Sequence, residues 1–417
     1  MSVLKITGGS RLSGSVRVQG AKNGALPLLA ASVLTEGLSV FRNCPALSDV
    51  QATVQILRHV GCRVYREGDA LYVDASGPIS PEVPDALMRK LRSSVIFLSA
   101  LLSRCGEVSL ALPGGCELGP RPVDLHVLAL RALGAEVTEA GGRICCRAAK
   151  LRGGRIDLPA VSVGATENAV LAAVRAEGST VITGAAREPE IQDLQTYLRA
   201  AGAFVTGAGS SVIRVRGVER LRGADHRILP DRIAAATILA AAASAGGSVR
   251  LYDASPASLG PVLQVLRNMG CTAETAGSVV ALERKGALRS PGSVITRPYP
   301  GFPTDAQPPI MAAVLRAAGT TVMIETIFES RYSHVPELRR MGAEIRTAGK
   351  TAVIRGVETL HGAEVSAADL RGGAALVVAA LAAEGETVIH GLDYVDRGYE
   401  DLARTLGELG AEAVRSG

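Results

Sequence analysis

Residues Gly373–Gly391 read GAALVVAALAAEGETVIHG, and the first eleven are Gly, Ala, Leu or Val at every helical position. A helix that is apolar around its whole circumference belongs inside a protein, not on its surface. The Glu384-Gly385 pair then breaks the helix, and the β-branched run that follows reads as a strand. The same succession of buried helix, turn and strand stands at Asn23–Phe41 (NGALPLLAASVLTEGLSVF) and Asn168–Gly184 (NAVLAAVRAEGSTVITG). The chain is therefore α/β with its helices packed within and its sheets outside.

Each such segment is followed by an amphipathic helix that ends on a glycine-centred tripeptide. These are Val60-Gly61-Cys62, Leu133-Gly134-Ala135, Ala201-Gly202-Ala203, Met269-Gly270-Cys271, Met341-Gly342-Ala343 and Leu409-Gly410-Ala411. Glycine at this place predicts a helix C′ residue with positive φ. The spacing is about 70 residues, longer than the period of a common solenoid. Six βαβαββ-like repeats result, three to a domain. The sixth stops early at GAEAVRSG, and the N-terminal SVLKITGGSRLSGSVRVQG has the shape of its missing tail. The expected domains are residues 22–229, carrying the loop around Cys116, and residues 1–21 with 230–417. A cleft between two domains is the default place for a ligand.

Composition narrows the class of ligand. The chain has 417 residues, 45 basic and 40 acidic, with a net charge of +5 and no basic run. Aromatic residues make up 3% and tryptophan is lacking, which argues against stacking platforms for nucleic acid. Seven cysteines occur without a CxxC pair or a zinc-like Cys/His spacing, so no metal and no disulfide framework is expected. The N-terminus lacks the apolar core of a secretory signal. Even IAAATILAAAASAGG, Ile233–Gly247, is too short to span a bilayer. A soluble, cytoplasmic protein with no membrane partner, no nucleic acid and no obligate protein partner is expected.

Charged residues recur at equivalent places in the repeat. The first helix opens near Lys22-Asn23, Arg92, Ser162-Val163-Gly164, Asp231-Arg232, Thr304-Asp305 and Asp369-Leu370-Arg371 in successive units. The second helix opens near Arg121, Arg331 and Arg397. Cations are disfavoured at a helix N-terminus, so their recurrence there asks for an anion. Ser162-Val163-Gly164 has the form of an anion nest. Cys116, in LPGGCELGPRPVDLH (Leu112–His126), follows two glycines and precedes Arg121, a setting that favours thiolate. The other reading of Cys116 is a buried loop cysteine. Asp305, behind three prolines in the run up to YPGFPTDAQ, is either a helix N-cap or a general base. The residues point to a small polyanion.

With GAKNGALPLLAA, LPGGCELGPRPVDLH, VSVGATENAV, AAREPEIQD, LPDRI, FPTDAQ, FESRYSHVPELRRMGA, DLRGGAAL and DRGYEDL, the chain resembles the UDP-N-acetylglucosamine 1-carboxyvinyltransferases from end to end. These are enolpyruvyl transferases. The resemblance implies a two-domain inside-out α/β barrel and transfer of the enolpyruvyl group of phosphoenolpyruvate to the 3-hydroxyl of UDP-N-acetylglucosamine. Phosphate is released in this first committed step of peptidoglycan synthesis, and no cofactor or metal takes part. It implies catalytic roles for Cys116, Asp305, Lys22, Arg397 and Asp369. Cys116 would be general acid at C3, or add covalently to phosphoenolpyruvate, and be the target of the epoxide fosfomycin. Asp305 would take the hydroxyl proton, with Asp369 a second proton-transfer group.

Substrate contacts implied by the same resemblance divide by charge. Lys22, Arg121 and Arg397 would face the phosphate, Arg331 and Arg371 the carboxylate, and Arg92 would support closure. Asn23 and Asp305 would hold the sugar. Arg121, Pro122, Val123, Asp124 and Leu125 would hold the uridine end, Ser162, Val163 and Gly164 the diphosphate, and Ile327 would line the site. Ala160 stands where some members of the family have Lys, Ala234 replaces the family's usual Glu, and Gly372-Gly373 is expected to loosen its helix start. Two alternatives stand beside this reading: an enolpyruvyl transferase with another acceptor, and a regulatory binder without turnover.

Overall fold

The computed structural model describes residues 2–111 and 123–417, and of Arg92 only the backbone. The described chain forms two compact units, one of residues 20–111 and 123–229, the other of residues 2–19 and 230–417.

The six tripeptide glycines all take positive φ, from 86° at Gly134 to 110° at Gly61. After each, the next backbone N–H reaches back five residues into the helix, as in Cys62 to Leu57 (2.9 Å), Ala203 to Leu198 (2.8 Å) and Ala411 to Leu406 (3.0 Å). This is the Schellman closure, and it turns the chain from each outer helix into its hairpin. The six equivalent turns establish the repeat physically.

Three helices fill the centre of each unit: Lys22–Ala31, Phe97–Cys105 and Val163–Ala173 in one, Arg232–Ala245, Gln307–Val314 and Leu370–Ala380 in the other. The last three pack pairwise, and nearly every residue along them is buried, as their uniformly apolar sequences require. Sheets lie outside them. The fifth unit is representative, with strands Ser293–Ile295, Thr320–Ile324, Thr351–Arg355 and Glu344–Ala348 in spatial order. The first strand comes from the end of the preceding unit and pairs parallel; the other pairings are antiparallel.

That shared-strand rule explains how each ring closes. In one unit Asp225–Arg227 pairs parallel with Leu38–Arg42. In the other, Val3–Thr7 lies between Glu386–His390 and Glu412–Ser416 and completes the sixth sheet. The second N-terminal strand, Leu12–Arg17, does not complete that repeat. It pairs parallel with Gly247–Tyr252 of the fourth sheet, which has no preceding unit in its own half to supply a first strand. No helix among the described residues is long and apolar enough to cross a membrane.

Candidate active site

The unit containing residues 230–417 gathers two of the singled-out residues around the carboxylate of a third. Asp305 lies in the short 3-10 turn Thr304–Ala306, just before the Gln307–Val314 helix. Its Oδ1 accepts from Arg331 Nη2 at 2.7 Å and its Oδ2 from Arg371 Nη2 at 3.1 Å. Both arginines are buried, and the Asp305 side chain keeps 27% exposure, enough for a ligand to reach it. Arg331 also donates from Nε and Nη2 to the Thr304 carbonyl, at 3.1 and 2.8 Å. Arg371 Nη1 donates to the Tyr399 hydroxyl at 3.3 Å, and that oxygen lies 2.8 Å from Thr237 Oγ1. Burial alone would raise the Asp305 carboxyl, but Arg371 and Arg331 overcome it and hold the group well below the usual carboxylate range. Asp305 makes no helix-capping bond.

Asp369 caps the Leu370–Ala380 helix. Its Oδ1 accepts the N–H groups of Arg371 and Gly372, both at 3.0 Å, and its Oδ2 accepts from Ser333 Oγ at 2.9 Å. Gly372 and Gly373 tighten this helix start, contrary to the looseness expected of them. A Cβ on Gly372 would stand 2.7 Å from Asp369 Oδ2, and one on Gly373 2.8 Å from Val395 Cγ2. The cations are also placed differently from the simple repeat. Arg331 lies in a turn four residues before the Val335–Arg340 helix, and half-buried Arg397 follows the Leu392–Val395 helix. Of the arginines in this unit only Arg232 and Arg371 stand in the first turn of a central helix. Arg331 is neutralised by Asp305, not aimed out of a helix start. Ile327, in the turn before Arg331, is 39% exposed.

In the other unit Lys22 is the first residue of its central helix, and its Nζ lies 2.6 Å from Asp49 Oδ2, both side chains nearly buried. Asn23 follows, half-buried in the same turn. Ser162 is the N-cap of the Val163–Ala173 helix, its Oγ accepting from Ala165 N at 3.3 Å. Half-buried Val163 and Gly164 open that helix. Val123 precedes the Asp124–Ala132 helix, on which Asp124 is exposed and Leu125 half-buried. His126 and Asn168 join the two helices: Nδ1 of His126 is 2.8 Å from Asn168 Nδ2. A Cβ on Gly164 would meet His126 Cε1 at 3.1 Å, so glycine lets the ring lie close.

Burial pushes His126 down to about 4, against a nearby Asp124, so the ring is neutral and accepts from Asn168. A depressed histidine withholds in the folded state a proton that the unfolded state binds, so its contribution to stability is lost as pH falls from about 6.5 towards 4. At about 1.4 kcal/mol per pH unit the loss is about 2–3 kcal/mol. The stability difference between the parent protein and His126→Gln, measured by urea melts, should shrink by about that amount between pH 7 and 4. An unchanged difference counts against a neutral His126. Buried His334, beside Asp369 and Arg331, is likewise pushed down to about 4, chiefly by burial.

Cys116, Arg121 and Pro122 lie outside the described residues, as does the Arg92 side chain. Six other cysteines are free. Burial pushes Cys62 and Cys146 up to about 12 and Cys271 to about 11, so these are core thiols without nucleophilic character. No group of three or more His, Cys, Asp or Glu among the described residues is arranged to hold a metal. Asp49, Glu325 and Tyr399 were not singled out in the sequence. Only Tyr399 carries a signal there, inside DRGYEDL.

A family model described as EPSP synthase (3-phosphoshikimate 1-carboxyvinyltransferase) matches residues 6–406, and the chain belongs to this family of enolpyruvyl transferases. Among its relatives are UDP-N-acetylglucosamine 1-carboxyvinyltransferases. It is 46% identical to UDP-N-acetylglucosamine 1-carboxyvinyltransferase 2 of Caldanaerobacter subterraneus subsp. tengcongensis, with 100% of both chains covered. It is 45% identical to UDP-N-acetylglucosamine 1-carboxyvinyltransferase 2 of Bacillus subtilis, over 100% of this chain and 97% of that one. The crystal structure of the enolpyruvyl transferase NikO from Streptomyces tendae superposes with a TM-score of 0.89 at 26% identity, covering 100% of this chain and 99% of that one. EPSP synthase from Acinetobacter baumannii shares the fold, with a TM-score of 0.75 at 22% identity and 100% of both chains covered.

Proposed function

We propose that the protein is a cytoplasmic UDP-N-acetylglucosamine 1-carboxyvinyltransferase acting in peptidoglycan synthesis. It moves the enolpyruvyl group of phosphoenolpyruvate to the 3-hydroxyl of UDP-N-acetylglucosamine and releases phosphate. Full-length identity of 46% to a relative of that name carries the choice of acceptor, and the Asp305–Arg331–Arg371 cluster supports the chemistry.

In this reading Arg331 and Arg371 are held by Asp305 until the carboxylate of phosphoenolpyruvate competes for them. As the guanidiniums turn to the incoming anion, the proton affinity of Asp305 rises and it can accept the hydroxyl proton. The hydroxyl oxygen adds to C2 while C3 gains a proton, with Cys116 as donor or as a covalent partner of phosphoenolpyruvate. The tetrahedral adduct then loses a C3 proton and expels phosphate. Lys22, Arg121 and Arg397 balance the phosphate charge, and Asn23 orients the sugar. Ser162, Val163 and Gly164 face the diphosphate, and Arg121 to Leu125 the uridine. Ser333 occupies Oδ2 of Asp369, which suits Asp369 to fixing Arg371 more than to carrying a proton.

Phosphate release from phosphoenolpyruvate should require UDP-N-acetylglucosamine. Release with another acceptor alone would move the protein to a different enolpyruvyl transfer, and binding without release would make it a regulatory binder. Fosfomycin should inactivate the enzyme. Cys116→Asp should retain part of the activity and lose that sensitivity; unchanged inactivation of the variant removes Cys116 from its role.

A further inference from the structure

We infer that Glu325 is a positioning residue that fixes Asp305 and Arg331 together with the backbone at Ile327, an inference that rests on the proposed function. Glu325 follows the strand Thr320–Ile324 and is 1% exposed. Its Oε1 accepts two backbone N–H groups, from Ile327 at 2.7 Å and Phe328 at 3.1 Å. Its Oε2 accepts from Thr304 Oγ1 at 2.9 Å. Its own N–H donates to the Lys350 carbonyl at 2.8 Å, which anchors the residue to the sheet.

One carboxylate thereby ties two loops that are distant in sequence. Thr304 offers its carbonyl to Arg331 and precedes Asp305, while the 327–331 turn carries Arg331 back to both. Charge-assisted bonds to a buried carboxylate are short and strongly directional, so the relative position of the two loops is set by Glu325 and not by their own flexibility. Arg331 has to move only its guanidinium between Asp305 and an anionic substrate, because the turn that leads to it is anchored at Ile327 and Phe328. Ile327 is fixed by the same oxygen that caps the turn. Preorganisation of this kind acts on turnover through the groups it holds.

Thr304→Val removes only the Oε2 contact and leaves both backbone caps. It should lower kcat about tenfold with the KM for UDP-N-acetylglucosamine unchanged within about twofold. Thr304→Ser keeps the hydroxyl and should restore kcat to within about twofold of the parent. Glu325→Gln should lower kcat comparably and also raise that KM. The double variant Thr304→Val with Glu325→Gln should be no slower than Glu325→Gln, because both changes break one link. Kcat losses that multiply, or single variants within twofold of the parent, overturn the inference. Hydrogen exchange at the Ile327 and Phe328 amides tests the clamp without chemistry: it should quicken in Glu325→Gln, and unchanged exchange overturns it. A parent protein without acceptor-dependent turnover overturns the proposed function instead, and exchange then decides the clamp.

Discussion

Asp305→Asn should lower kcat by about a hundredfold to ten-thousandfold, the range for loss of a general base. The amide cannot take the hydroxyl proton, and it no longer balances Arg331 and Arg371. Two buried guanidiniums then share a site without the carboxylate that joined them. Breaking one partner out of a buried pair costs about 3–5 kcal/mol, and the partial exposure of Asp305 places the expected loss of stability at the lower end. The same deficit of negative charge gives the variant a distinguishing property. Phosphoenolpyruvate or inorganic phosphate should raise its melting temperature more than that of the parent, because the anion supplies the missing charge. A variant with kcat within tenfold of the parent, or with no added stabilisation by anions, removes Asp305 from the centre of the site.

Lys22→Met should lower kcat/KM for phosphoenolpyruvate by about 2–4 kcal/mol, or roughly thirtyfold to a thousandfold, by analogy with loss of one donor to a developing anion. Lys22 opens a central helix, where the dipole already disfavours a cation, and Asp49 at 2.6 Å offsets that cost. Methionine fills the aliphatic volume and removes the charge. The effect should fall on phosphoenolpyruvate and leave the affinity for UDP-N-acetylglucosamine nearly unchanged, read by acceptor protection of the melting temperature. An effect below threefold on kcat/KM separates Lys22 from the reacting phosphate.

The parts of the molecule readable from sequence are those in which one residue type meets one local demand. Six glycines at helix ends, each needed for a positive φ, marked the repeat, and uniformly apolar helices marked the interior. Partnership across the fold was not readable. Arg331 and Arg371 stand 26 and 66 positions from the carboxylate that joins them, and no local pattern records that meeting. Asp49 looks in sequence like an ordinary acidic residue in the first turn of an amphipathic helix, yet it faces Lys22. The repeat pattern puts a helix start near Arg331, whereas Pro336 places that start at Val335, since proline prefers the first turn. Strand character was evident in Leu12–Arg17, but period-two alternation says nothing about which sheet a strand will join.

Strands Val3–Thr7 and Leu12–Arg17 are translated before residues 20–229, yet their partners begin at Gly247 and end at Ser416. As the polypeptide leaves the ribosome, residues 20–229 can close their own ring while these two strands still wait. The sixth sheet is assembled only once Glu412–Ser416 has emerged to meet Val3–Thr7. Closing a loop of such length carries an entropic penalty that grows slowly with size, so the delay is one of synthesis time more than of free energy. During that interval unmatched strand edges stand open, and such edges are sites for pairing with other nascent chains.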